Sequence, residues 1–195
     1  MIEIGFHGKD KCVEILASAA FKEGKFCQAF VSDGWSFCRI DDKPVRTRSL
    51  ECCPDIAILN DERLLTEVEC DGIVIVNSPN PPEELKLFGD VVSVDATRHV
   101  LDILSPSLNG NVPDTFHVRQ YDDMELVLEL VAKPVINTVM LGAIAALKIV
   151  SMQSIADVMR VKNPKLVNAA WEIYKELESE SRNWQQNCRL CKAYV

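Results

Sequence analysis

The sequence predicts an α/β domain, a three-layer α/β/α arrangement around a mostly parallel mixed sheet, with a helical C-terminal third. Asp55 to Leu59, Ile73 to Asn77 and Val91 to Asp95 are short, continuous, β-branched-rich runs of the kind buried on both faces of a parallel sheet. Helical segments between and after them give the βαβ order of such a domain. Beyond Pro134 the apolar spacing becomes helical and stays so.

Each element follows from local signals. Ile2 to His7 reads as a first strand, Gly8 to Lys11 as a turn, and Cys12 to Glu23 as a helix with Cys12, Leu16, Ala19 and Ala20 on one face, ended by Gly24. Phe26 to Val31 and Trp35 to Ile40 are strand-like around Asp33-Gly34, an antiparallel pair, and Asp41 to Pro44 forms a second tight turn into Val45 to Ser49. Glu62 to Val68 is a candidate helix, and Asp95 is placed to cap another from Ala96 to Leu104. Ser105 to Thr115 reads as a loop, Phe116 to Gln120 as an edge strand, and Asp122-Asp123 opens a helix with Met124, Val127, Leu128 and Val131 inward. Pro134 resets the chain before an apolar helix near Asn137. Ser151 to Arg160 and Lys165 to Ser181 are helices separated by Asn163-Pro164.

Composition excludes several classes. The chain has 195 residues, of which 48% are hydrophobic and 26% charged, as in ordinary globular proteins. A chain of this length buries about 70% of its unfolded surface and needs no staples. With 29 acidic against 21 basic residues, net charge −8, and no basic cluster, nucleic acid is not an expected partner. Met1 to His7 alternates like a strand rather than a signal peptide, so a cytoplasmic location is expected. The longest apolar run, Val139 to Leu147, falls far short of the roughly 20 residues that a membrane crossing requires. Cys12, Cys27, Cys38 and Cys70 lie in apolar or strand-like segments and read as packed free thiols, while the adjacent Cys52 and Cys53 read as core or turn residues.

The chemistry-bearing residues are few. The turn His7-Gly8-Lys9-Asp10-Lys11-Cys12 stands where nucleotide-binding α/β domains keep a glycine-rich phosphate loop, but it holds one glycine, and Asp10 would repel a pyrophosphate. Autonomous dinucleotide binding is therefore not expected. His99 and His117 have no nucleophile or metal-ligand spacing and read as surface or structural residues, whereas His7 ends the first strand, where ligands of open α/β sheets bind. Cys188-Arg-Leu-Cys191 supplies two of the four ligands of a zinc or iron-sulfur site. An inert pair, a partner-completed site, a redox pair and the start of a ferredoxin-like segment all remain open readings.

Three stretches in order resemble the gamma subunit of the 2-oxoacid:ferredoxin oxidoreductases. They are Ile2 to Gly8 with Ile15 to Ala20, then Gln28-Ala-Phe30 with Arg39 to Val45, and Pro134 to Ala143. Asp71 to Asn77 and Val94 to Thr97 follow in family order between them. The resemblance implies a non-catalytic α/β subunit, residues 1–182, that packs against thiamine-binding alpha- and beta-type subunits. His7, Gly8 and Lys9 would line a shared interface site. It also implies that thiamine diphosphate, magnesium and 4Fe-4S clusters belong to the assembly and none to this chain alone, and that a ferredoxin-like subunit or domain lies nearby. Residues 183–195, with Cys188 and Cys191 as an incomplete metal site, fall where such a segment would begin. Both loops that face the cofactor region in the family are shortened here, a loss that fits the oxalate oxidoreductase branch, which uses no coenzyme A. An ordinary 2-oxoacid is the competing substrate, and a structural or regulatory interaction module outside such an enzyme is the alternative function.

Overall fold

The structure, a computed structural model, describes residues 1–47, 53–68, 70, 72–85, 90–100 and 135–184. The strands are β1 (Ile2–His7), β2 (Phe26–Ser32), β3 (Trp35–Asp41), β4 (Ile56–Leu59), β5 (Ile73–Asn77) and β6 (Asp90–Val94), and the helices are α1 (Cys12–Lys22), α2 (Leu141–Ala146), α3 (Met152–Lys162) and α4 (Val167–Trp184). Residues 96–100 and 135–139 are also helical. The strands form one mixed sheet in the order β2-β3-β1-β4-β5-β6. β1, β4, β5 and β6 run parallel, β3 is antiparallel to β1, and β2 is antiparallel to β3. The predicted α/β class, mixed sheet and helical C-terminal part are all present.

Alternation sorts the strand residues between two faces. Ile2, Ile4 and Phe6 of β1, Cys38 and Ile40 of β3, Ile56 and Ile58 of β4, and Ile73 and Ile75 of β5 enter one buried cluster with all four helices. Each large aliphatic side chain removed from water there contributes about 1.5–3 kcal/mol. The opposite face carries Ala57, Leu59, Val74 and Val76 beneath Leu65. On the same side of β1 and β3, the buried Arg39 guanidinium pairs with buried Glu3. Arg39 also donates to the Thr47 carbonyl at 3.0 Å and lies over the Phe30 ring, 4.7 Å from its centre.

Two segments differ from expectation. Glu62 to Val68 is not an α-helix but a 3₁₀ helix, Glu62–Glu67, whose cap Asp61 accepts from the Arg63 amide. Its first turn closes on a three-residue bond, the Leu64 amide donating to the Asp61 carbonyl at 3.2 Å, which is the 3₁₀ pattern. Residues 45–47 belong to no strand. The Thr47 carbonyl instead accepts from Arg39, which takes it out of any ladder. The expected elements between residues 101 and 134, residues 48–52 with Cys52, and the tail with Cys188 and Cys191 lie outside the described residues.

α2 crosses α4 at Gly142, where an added Cβ would stand 2.1 Å from the Ala170 carbonyl oxygen. Only a bare backbone lets the two helices approach this closely. Gly142→Ala is expected to destabilise the chain by about 3 kcal/mol through overpacking. Urea unfolding reads this loss directly, and an unchanged midpoint would disprove the close contact.

Candidate functional site

The four parallel strands place their carboxyl ends on one edge of the sheet, the edge where open α/β sheets bind ligands. His7 ends β1 and Gly8 to Asp10 follow it, Asn60 to Glu62 follow β4, Asn77 ends β5 and Ser78 to Asn80 follow it, and Asp95 to Thr97 follow β6. Asn137 reaches the same edge from the helical turn 135–139.

The loop after β1 is held by its own chain. The Gly8 amide donates to the Gly34 carbonyl at 2.9 Å, so the hairpin turn docks on the end of β1. Ser36 donates its hydroxyl to the Gly8 carbonyl and accepts from the Asp10 amide, both at 2.8 Å. One Asp10 oxygen accepts from the Cys12 amide at 2.8 Å, at the start of α1, and the other accepts from the Asn137 side chain at 2.9 Å. A carboxylate therefore already sits at the positive end of α1, where an incoming phosphate would need to be. The same geometry governs Cys12: burial pushes its thiol well above the ordinary value, and the Asp10 charge and hydrogen bond push it further. It is a packed thiol rather than a nucleophile.

Of the predicted site residues, His7 is half-buried with its ring edge-on to Trp35 at 5.3 Å, Gly8 is half-buried, and Lys9 is exposed. They are neighbours on the carboxyl edge, and the Gly8 and Asp10 amides are bound within the chain. His99 is buried, with Nε2 3.2 Å from Glu176, as a structural histidine should be. Cys12 and Cys38 are buried, Cys27 and Cys70 half-buried, and Cys53 is exposed at a bend.

A second polar cluster was not anticipated. The Asn77 amide donates to the Asn60 carbonyl at 3.1 Å and to the Thr97 hydroxyl at 2.9 Å, and its oxygen accepts from the Thr97 amide. Ser78 and Asn80 both donate to Glu62. These bonds tie the ends of β4, β5 and β6 together. Asn137, 1% exposed, and Asn60, 7% exposed, each keep a side-chain oxygen without a hydrogen-bond partner among the described residues. Asn137 stands within one of the family-like stretches, the only signal that could have marked it. Asn60 gave none.

Thiamine diphosphate, with its magnesium, needs a phosphate cradle and clustered carboxylates or carbonyls. The described residues do not fit it: the Gly8, Asp10 and Cys12 amides are bound internally, the Asp10 carboxylate stands at the start of α1, and no three His, Cys, Asp or Glu side chains gather as metal ligands among them. Among the described residues no helix is long and apolar enough to cross a membrane.

Comparison with known proteins agrees with this architecture. The family described as pyruvate ferredoxin/flavodoxin oxidoreductase matches residues 7–176. The chain is 32% identical over 203 residues to the pyruvate synthase subunit PorC of Methanothermobacter thermautotrophicus, covering 91% of this chain and 97% of that protein. It is 34% identical over 185 residues to the common subunit gamma of the pyruvate/ketoisovalerate oxidoreductases of Thermococcus kodakarensis, covering 82% and 85% respectively. In fold it resembles the crystal structure of the pyruvate oxidoreductase subunit PORC of Thermotoga maritima, with a TM-score of 0.59 at 23% identity over 91% of this chain and 95% of that one.

If Asp10 holds the loop, α1 and Asn137 together, Asp10→Ala removes the acceptor of the Cys12 amide and leaves the Asn137 amide without the Asp10 carboxylate. The expected loss is about 3 kcal/mol, measured by urea unfolding. A loss below about 0.5 kcal/mol, the size of an ordinary surface substitution, would contradict this role.

Proposed function

The chain belongs to the pyruvate ferredoxin/flavodoxin oxidoreductase family, and from this premise we propose that it is the non-catalytic gamma-type subunit of a cytoplasmic 2-oxoacid:ferredoxin oxidoreductase. The observation that carries the reading is the match along nearly the whole length of a PorC subunit, combined with a first loop whose Gly8, Asp10 and Cys12 amides are bound within the chain. Decarboxylation of the 2-oxoacid and electron transfer to ferredoxin belong to the assembly. Thiamine diphosphate and magnesium sit in alpha- and beta-type partner subunits, and 4Fe-4S clusters pass the electrons on.

In this proposal residues 1–182 form the gamma domain, and its carboxyl edge faces the thiamine-binding partners. His7, Gly8 and Lys9 line the shared interface, with the Lys9 ammonium as the exposed cation. Residues 183–195 begin a ferredoxin-like segment or meet a ferredoxin-like partner, and Cys188 and Cys191 contribute half of a site that the partner completes.

The relatives are named for pyruvate and ketoisovalerate, which supports an ordinary 2-oxoacid as substrate. Their names give no support to oxalate. One feature favours a reaction without coenzyme A, of which oxalate cleavage is the example: β2 and β3 are joined by only Asp33 and Gly34, and that turn docks against Gly8. A large anionic acceptor has less loop to hold it there.

Native purification tests the subunit assignment. Co-elution with thiamine-binding and iron-sulfur chains is expected, whereas a chain that purifies alone would favour an interaction module outside such an enzyme. The purified complex is then assayed for reduction of a low-potential acceptor with pyruvate or oxalate, each with and without coenzyme A. Pyruvate turnover is expected. Strict dependence on coenzyme A would overturn the acceptor-free reading, and oxalate turnover indifferent to it would support that reading.

A further inference from the structure

We propose that Cys53 and Cys70 form a redox-sensitive thiol pair, which closes to a disulfide when a small-molecule disulfide reaches it. β4 and β5 are parallel neighbours, with Ile56 opposite Ile73. Their backbones stay in contact one residue further out, where the Ile73 amide donates to the Asp55 carbonyl at 3.0 Å and a Cβ added to Gly72 would stand 1.9 Å from that oxygen. Cys53 lies two residues before Asp55 and Cys70 two before Gly72, so the cysteines occupy equivalent positions at the entrances to adjacent strands. Neighbouring strands run about 4.8 Å apart, and a disulfide spans Cα separations of about 4.4–6.8 Å.

A side-chain contact brings the pair together. The Cys70 thiol donates to the Pro54 carbonyl at 3.2 Å, and Pro54 directly follows Cys53. Pro54 is buried with its ring over Gly5 of β1, which fixes the carbonyl that Cys70 meets. Exposure then selects this pair among the described cysteines. Burial pushes the Cys12 and Cys38 thiols well above the ordinary range, and it also raises half-buried Cys27, whose thiol donates to the Ala17 carbonyl. Those three pack as apolar groups and hold little thiolate. Cys53 is exposed at a bend, and Cys70 is half-buried against the cluster of Ala57, Leu59 and Val74. Cys53 is therefore the entry point, and Cys70 the resolving thiol.

The chemistry is two thiol–disulfide exchanges. Cys53 gives up its proton, its sulfur attacks one sulfur of the small disulfide, and the expelled sulfur takes a proton and leaves as a small thiol. Cys70 then gives up its proton and attacks the Cys53 sulfur of the mixed disulfide, expelling the second small thiol. Two protein thiols and one small disulfide become one protein disulfide and two small thiols, with two electrons passing to the small disulfide. The bridge closes residues 53–70 into a loop containing β4, Asn60 and Glu62, so it restrains the segment that brings those two side chains to the carboxyl edge.

The full chain, reduced and then freed of reductant, is incubated with oxidised glutathione, blocked with an alkylating reagent and mapped by mass spectrometry. A Cys53–Cys70 bridge is expected, with a thermal midpoint raised by about 4 °C or more, and dithiothreitol should reverse both. Cys52→Ser should keep the bridge. Cys70→Ser should stop with glutathione on Cys53, and Cys53→Ser should leave Cys70 unbridged. Wild-type Cys53 and Cys70 both still open to alkylation, a bridge that needs Cys52, a stable glutathione adduct on wild-type Cys53, or a bridged chain that melts no higher than the reduced one would overturn the proposal.

Discussion

The carboxylate of Asp10 is the constraint on which the carboxyl edge depends. Its two oxygens join the start of α1 to the helical turn at Asn137, and its own amide is held by Ser36 of β3. The first helix, the hairpin and the C-terminal helical part are thereby fixed to one another through one residue. A helix N-terminus attracts negative charge, and a chain can satisfy it with a ligand or with itself. This chain satisfies it with itself, so the strand–turn–helix unit works as a joint rather than as a phosphate cradle.

The hairpin completes the joint. Its two-residue turn has both central residues in the left-handed region, which Gly34 adopts without steric cost, and it presents the Gly34 carbonyl to Gly8. Behind the turn, Trp35, Phe37 and Phe30 stack along the sheet, with centroids 6.2 Å and 5.2 Å apart. The Arg39–Glu3 pair lies at the far end of the same face. A buried ion pair is weak evidence for net stability, but removing one partner would strand the other charge, which ties the register of β3 to that of β1. The end of the sheet that carries the short loops is held together by hydrogen bonds among Gly8, Gly34, Ser36, Asp10 and Asn137. That is consistent with a subunit that offers a fixed surface and leaves chemistry to its partners.

Most of the fold was legible because its signals are local. β1, α1, the hairpin and the three β-branched strands fell within a residue or two of their expected limits. Asp95 accepts from the Arg98 amide as a cap should, and Asn163-Pro164 ends α3. The 3₁₀ helix after β4 was misread because a short acidic-apolar segment carries the same spacing in either helix type. The site was less legible. His7, Gly8 and Lys9 could be placed on the carboxyl edge from strand order alone, but Asn60, Asn77 and Asn137 acquire meaning only through partners 17 to 127 positions away. From the sequence Asp10 reads as a charge that would repel a pyrophosphate, and its structural role depends on Asn137, which no local pattern connects to it.

In the proposed assembly this chain supplies architecture and an interface while the cofactor is bound by its partners. Titration calorimetry of the isolated chain with thiamine diphosphate and magnesium measures this most directly. No binding is predicted up to about 1 mM cofactor, a limit of about −4 kcal/mol. Micromolar binding by the isolated chain would contradict the account, because the committed loop after β1 leaves no cradle for the pyrophosphate.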